Sequence, residues 1–265
     1  MEKVLNFQIS LFGLFKNLGL FNNELQSVMK IVSKLTESLS VEKLIPRTFE
    51  VNNIDYVAKK INTETRLQMI STDNSTWIVN FLPDRIDVNY FYPGGEEYYT
   101  DLASVFTKTK LLCKKVFEAI DVPNGMRLAV NGTFLLRDMN FKEKLSFIRY
   151  FTNIPQSFCN NIIKDWSVRY NCPININFSD KHEECNYVIN LYEAIGLNSK
   201  NASFAPRMMI TLDFNTLSET RELRFDSNDL LSFVDNIQPL METKLQEIDK
   251  ISFDMEKINV IADSV

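Results

Sequence analysis

The chain has 265 residues, 45% of them hydrophobic and 24% charged, a balance that excludes disorder on a large scale. Its net charge of −5 argues against broad electrostatic binding to nucleic acid, which draws affinity from neutralised phosphates. Only 7 glycines leave few places for a phosphate-cradling loop, and no apolar run approaches the ~20 residues that span a bilayer.

Leu5–Phe15 mixes alternation with a continuous apolar run and reads as a strand. Asn23 can cap the helix that follows, with Gln26 three residues on as in a capping box. Leu25, Val28, Met29, Val32, Leu35 and Leu39 then recur at helical spacing and predict one buried face. Phe49, Val51, Ile54, Tyr56 and Val57 predict a strand or a hairpin around an Asn52-Asn53 turn. A meander comes next, with Arg66–Ile70 and Trp77–Leu82 joined through the turn-rich Ser71–Ser75. Its third strand alternates Ile86, Val88, Tyr90 and Tyr92 with Asp87, Asn89 and Phe91, the mark of a half-buried strand.

Pro93-Gly94-Gly95 stops that strand, and a long amphipathic helix is predicted from about Glu96 to Ile120. Its stripe is Tyr98, Leu102, Val105, Phe106, Leu112, Cys113, Val116, Phe117 and Ile120. After Pro123-Asn124-Gly125, a strand runs through Met126, Leu128, Val130, Phe134 and Leu136, with Gly132 marking a bulge. Short helices are predicted over Phe141–Phe151 and Pro155–Asp165. Trp166–Tyr170 and Ile174–Phe178 read as strand, with Pro173 between them pointing to an edge or a bulge. Tyr187–Ile195 fits a strand or a short helix, and Arg207–Phe214 fits a strand. Ser227 is the predicted cap of the last major helix, which Pro239 should kink or split and whose end frays from residue 254.

These elements predict an α+β fold: an antiparallel β-meander packed on two long amphipathic helices and several shorter ones. No linker or low-complexity tract divides the chain, so a single domain over residues 1–265 is expected, with any subdivision near 140–165. The strand-then-helix order near Arg207 echoes the earlier part of the chain and admits two similar halves.

Catalytic patterns are scarce. His182 is the sole histidine, in Ser179-Asp180-Lys181-His182-Glu183-Glu184-Cys185, and reads as a polar turn because helical ligand spacing is missing. The chain has neither a Gly-x-Ser-x-Gly elbow nor a G-x-G-x-x-G loop. The 4 cysteines, Cys113, Cys159, Cys172 and Cys185, form no C-x-x-C pair. No metal and no cofactor is therefore expected. Pro83-Asp84 with Glu242-Thr243-Lys244 keeps a metal-dependent nuclease or phosphodiesterase as the enzyme alternative. Lys108, Lys110, Lys114 and Lys115 read as a solvated helix face. The start, Met1 to Asn6, lacks a signal pattern, so a cytoplasmic location with reduced thiols is expected.

Two surfaces stand out as binding candidates. Tyr90, Tyr92, Tyr98 and Tyr99 bracket the Pro93-Gly94-Gly95 loop and offer amphipathic area to a protein partner. Arg66, Arg85, Arg127 and Arg137 all fall on predicted strands and could bind an anion from one sheet face.

Several motifs between Arg66 and Arg137 resemble a family. They are Phe81-Leu82-Pro83-Asp84-Arg85, the alternating strand ending in Tyr90, Tyr98-Tyr99-x-x-Leu102-x-x-x-Phe106, and Met126-Arg127-Leu128-Ala129-Val130-Asn131. The region is similar to a sporadically distributed family of uncharacterised bacterial proteins of about this length. Where that family has a Trp after the second strand this chain has Tyr90, and its return strand lacks the family's second Arg-Tyr. The resemblance implies no known activity. Its patchy distribution implies genes on mobile elements, including phage-defence and counter-defence genes. The reading from sequence is thus a non-enzymatic protein-binding or ligand-sensing component of a bacterial or phage conflict system. A structural subunit of a larger assembly is a further alternative.

Overall fold

The computed structural model describes residues 3–15, 25–55, 60–73, 76–94, 100–152, 166–198, 203–217 and 221–262. Among them are nine strands: β1 (Lys3–Phe12), β2 (Leu44–Asp55), β3 (Lys60–Ser71), β4 (Trp77–Phe81), β5 (Arg85–Phe91), β6 (Arg127–Leu135), β7 (Ser167–Phe178), β8 (Lys181–Asn198) and β9 (Ser203–Thr216). Four helices accompany them: α1 (Leu25–Leu39), α2 (Leu102–Ala119), α3 (Phe141–Thr152) and α4 (Ser227–Ala262). The strands form one open antiparallel sheet in the order β2-β3-β4-β5-β1-β6-β9-β8-β7. The α+β architecture is therefore as the sequence reads.

The order has a centre. β1 and β6 lie side by side, each flanked by the last strand of its own run, β5 and β9. From there the hairpins step outward to β2 on one side and β7 on the other. Each run opens with a strand and a helix, continues through hairpin-linked strands, and closes on a longer helix.

Residues directly opposed in neighbouring strands share a face. One row of such partners is Met69, Val79, Val88, Ile9, Val130, Phe214 and Tyr187, and all seven are buried. This is the helix-covered face. α2 packs on β1 and β5, α4 on β6 and β7, α1 on α2 and β2, and α3 on α4. Phe7 of β1 meets Phe106 of α2 edge-on at 4.5 Å, and Phe178 of β7 meets Phe233 of α4 at 5.2 Å. A single buried cluster runs from Val4 to Ile248.

Helix starts are fixed by side-chain caps. Asp101 accepts from the Ser104 backbone N–H at 2.9 Å, so α2 begins at Leu102 rather than near Glu96. Asn140 and Glu143 cap α3 reciprocally, through bonds of 2.7 and 3.0 Å. Asp226 and Asp229 do the same for α4, so Asp226 and not Ser227 is the cap. α4 continues through Pro239 as one helix. On α1, Leu35 and Leu39 are buried, but Met29 is 62% exposed and leaves the expected apolar face.

Other boundaries also move. β2 runs straight through Asn52 and Asn53, which pair with Thr63 and Asn62, so the expected turn is not there. β7 is continuous across Pro173, which the sheet tolerates because β7 is an outer strand. Tyr187–Ile195 is strand throughout, within β8. The register shift between β1 and β6 falls at Val4/Asn6, across from Phe134 and Thr133, and not at Gly132, which pairs with Phe7. Gly132 instead makes room for Phe134, whose ring would stand 2.5 Å from an added Cβ. The Asn23 cap and the helix read over Pro155–Asp165 lie outside the described residues.

Candidate functional site

The strand alternation that buries one row on the helices sends its neighbours to the other face. There the opposed partners are Gln68, Asn80, Asp87, Ser10, Ala129, Asn215 and Asn186. The next row on the same side contains Asn89, Gln8, Asn131 and Asp213. A third sets Phe12 between Arg85 and Arg127. None of the four helices packs here. Even so, Ser10 and Asp87 are each only 3% exposed, and Asn89 and Asn215 5%. A recess of about 260 Å³ lies over β5, β1, β6 and β9, between Arg85, Arg127 and Asp213.

Its polar groups are unevenly satisfied. Ser10 Oγ donates to Asp87 Oδ1 at 2.7 Å, and Arg85 Nε donates to Asp87 Oδ2 at 2.9 Å. Asp87 is thereby held from both sides. Asn89 Nδ2 donates to the Ile78 carbonyl at 3.3 Å, and the Thr133 and Thr211 hydroxyls meet at 3.1 Å. The Arg127 guanidinium lies 4.8 Å from the centre of the Phe12 ring, and that of Arg85 5.9 Å. Arg127 Nε is buried and makes no hydrogen bond among the described residues. Burial pushes the Asp213 carboxyl above its usual range, against the pull of Asn215, Arg127 and Arg169.

Gly125 fixes how β6 enters this region. It bridges to Phe225, and the next residue, Met126, donates its N–H to the Phe12 carbonyl at 2.7 Å. A Cβ on Gly125 would stand 2.7 Å from that same carbonyl oxygen and 2.3 Å from Leu11 Cδ1, so only glycine fits.

Of the four arginines expected to share a face, two come together. Arg85 and Arg127 flank Phe12 in the recess. Arg66 sits on β3 opposite Phe49, and Arg137 follows β6, where its Nη2 donates to Glu143 at 2.9 Å. The tyrosines divide differently. Tyr90 is wholly buried, with its ring 5.0 Å from that of Trp77, so it belongs to the core and not to an outward surface. Tyr92 is half-buried and its hydroxyl accepts from Lys3 Nζ at 3.1 Å. Tyr98 and Tyr99 lie outside the described residues. Gly94 holds the left-handed turn at φ 86° that its loop requires.

The other candidates are bound into the fabric. The His182 ring contacts Asn177 across the β7–β8 hairpin, and Glu183 holds Arg224 through two bonds. Glu42 accepts from both Lys108 and Lys115, Lys110 pairs with Asp235, and Lys114 with Glu118. Asp84 lies at the β4–β5 turn, whereas Glu242 sits on α4 and accepts from Gln238 at 2.9 Å. Cys113 and Cys185 are buried; burial raises both thiols, that of Cys185 to about 12. Among the described residues, no three His, Cys, Asp or Glu side chains cluster to hold a metal ion. Nor is any described helix long and apolar enough to cross a membrane.

Sequence reasoning missed Gln8, Ser10, Phe12, Asn131 and Asp213 as site residues. The available signal was a polar residue at every second position of otherwise apolar strands. Comparison of the chain with protein-family models and with curated proteins finds no significant match.

Proposed function

We propose that the protein is a non-enzymatic binding component whose working surface is the open face of the sheet at β5, β1, β6 and β9. The observation that carries this reading is a recess lined mostly by polar side chains, Ser10 among them buried, on a face that no described helix covers. Buried polar groups cost stability unless paired, so a face built of them is an expensive way to make a passive surface. Their arrangement suits recognition better than chemistry: Asp87 is held by Ser10 and Arg85, Asn89 by the Ile78 carbonyl, and Asp213 is shifted by burial. The repeated order of elements supports reading the molecule as two similar halves, with the recess at their junction. A protein partner is the class we attach to the face. The setting, a bacterial or phage conflict system, rests on the resemblance of Arg66–Arg137.

The test is affinity capture from native host lysate with mass spectrometry, comparing wild type with a Gln8→Ala, Asn131→Ala double variant. The expected outcome is at least a tenfold loss of the captured partner, about 1.4 kcal/mol, at an unchanged circular dichroism spectrum. Equal capture by the folded variant would remove the open face from consideration.

A further inference from the structure

The chain carries a net charge of −5, yet two arginines, Arg85 and Arg127, line its recess beside Asp213. Arg85 and Arg127 pack against one ring, that of Phe12, and Arg169 acts on Asp213 from β7. The opposing carboxylates do not use these cations fully. Asp87 takes the Nε of Arg85 and the hydroxyl of Ser10, and the outer edge of the Arg85 guanidinium meets only the exposed Asp84 carboxylate, at 4.0 Å. Arg127 Nε is buried without a hydrogen-bond partner among the described residues, although Asp213 lies near enough to feel its charge. A buried guanidinium donor left unmet is costly, a sign that Arg127 is not placed for stability alone. Packing on Phe12 fixes where the planar fork points, so little order is lost on binding.

The neighbours suit the same ligand. Gln8 and Asn131 are direct partners across the β1–β6 pairing and share a row with Asp213, so two side-chain amides stand side by side across the Ser10–Ala129 row from the arginines. Amide N–H groups can meet oxygens that the guanidinium does not reach. The volume, about 260 Å³, lies below the usual range for drug-sized ligands and matches a small molecule or one terminal group.

We propose that this recess binds the oxyanion group of a small polar ligand, a phosphate ester or a carboxylate, with Arg127 as the principal contact and Arg85, Gln8 and Asn131 completing the cradle. This rests on the reading of the open sheet face as the working surface and adds the ligand chemistry.

The experiment is titration calorimetry of the full chain with inorganic phosphate, adenosine 5′-monophosphate and succinate, at constant ionic strength set by chloride. Saturable binding of at least one probe is expected. Arg127→Gln should weaken it by about tenfold or more. Asp213→Asn, which removes a competing carboxylate, should tighten it several-fold, and Arg66→Gln on β3 should leave it unchanged. Should Arg127→Gln fail to fold, Arg85→Gln takes its place with the same expected direction. Binding of the phosphate probes alone assigns a phosphate ester, and binding of succinate alone a carboxylate. No saturable binding of any probe, or equal binding by a folded Arg127→Gln protein, overturns the inference. If partner capture is lost in the Gln8/Asn131 variant while no probe binds, the oxyanion site falls and the binding face stands. If a probe binds with the expected variant pattern while capture is unaffected, the oxyanion site stands and the protein-partner reading falls.

Discussion

Two adjacent rows cross the same seven strands of this sheet, one residue apart, and they could hardly differ more. Met69, Val79, Val88, Ile9, Val130, Phe214 and Tyr187 lie under the helices. Gln68, Asn80, Asp87, Ser10, Ala129, Asn215 and Asn186 lie on the other side. The first row is held by area removed from water, a force without direction that tolerates only well-packed shapes. The second is held by directed bonds such as Ser10 to Asp87 and Arg85 to Asp87. A strand separates the two tasks simply by pointing alternate side chains opposite ways. Substitutions on the two rows should therefore differ in kind.

The largest effect belongs on the helix side. Phe106 is fully buried against Phe7, and Phe106→Ala should cost about 3–5 kcal/mol, read as a lower chemical denaturation midpoint. An unchanged midpoint would erase the distinction between the faces.

Next comes Glu42, which joins the α1–β2 connection to α2. Its hydrogen bond to Lys108, helped by Lys115, holds its carboxyl below the usual range although burial opposes this. A depressed carboxylate contributes stability above its unfolded pKa of about 4.3 and loses it as pH falls through the folded value. Glu42→Gln should thus cost about 1 kcal/mol at neutral pH, and the gap to wild type should close in acid. A gap constant from pH 7 to pH 3 would mean that the lysines do not set it.

The smallest effect should have the opposite sign. Burial raises the Asp213 carboxyl on the open face, so its ionised form weighs against the folded state. Below about pH 3.9 the group is neutral folded or unfolded and carries no penalty. As pH rises the unfolded chain ionises first, and the deficit grows until the folded group ionises as well. Asp213→Asn should therefore stabilise by about 1 kcal/mol or less at neutral pH and not at all in strong acid. Loss of stability at pH 7 would show that the Asp213 charge supports the fold, which would set the open face alongside the covered one.

Part of this was legible in the chain. The alternation of Ile86, Val88 and Tyr90 with Asp87, Asn89 and Phe91 announces a strand with one dry face, and the stripe through Leu102 and Phe106 announces its cover. Arg85 and Arg127 could be named because strand arginines are conspicuous. That they meet could not, since their meeting depends on β1 pairing with both β5 and β6, more than seventy residues away in the chain. Phe12 falls within an apolar run and stands between two guanidiniums. Tyr90 looked like surface and is core, because its position in the alternation counts for more than its hydroxyl. Asp213 falls within the strand read over Arg207–Phe214, and only the pairing of β9 with β6 sets it opposite Asn131.

The two outer strands each carry a proline, Pro46 in β2 and Pro173 in β7. Proline has no backbone N–H, and where it is tolerated in a sheet the missing donor is the one that would have pointed outward. An incoming tenth strand would meet an interrupted ladder on either flank. The sheet is thus poorly suited to recruiting another chain by lateral extension, which guards it against fibrous association when many copies are made.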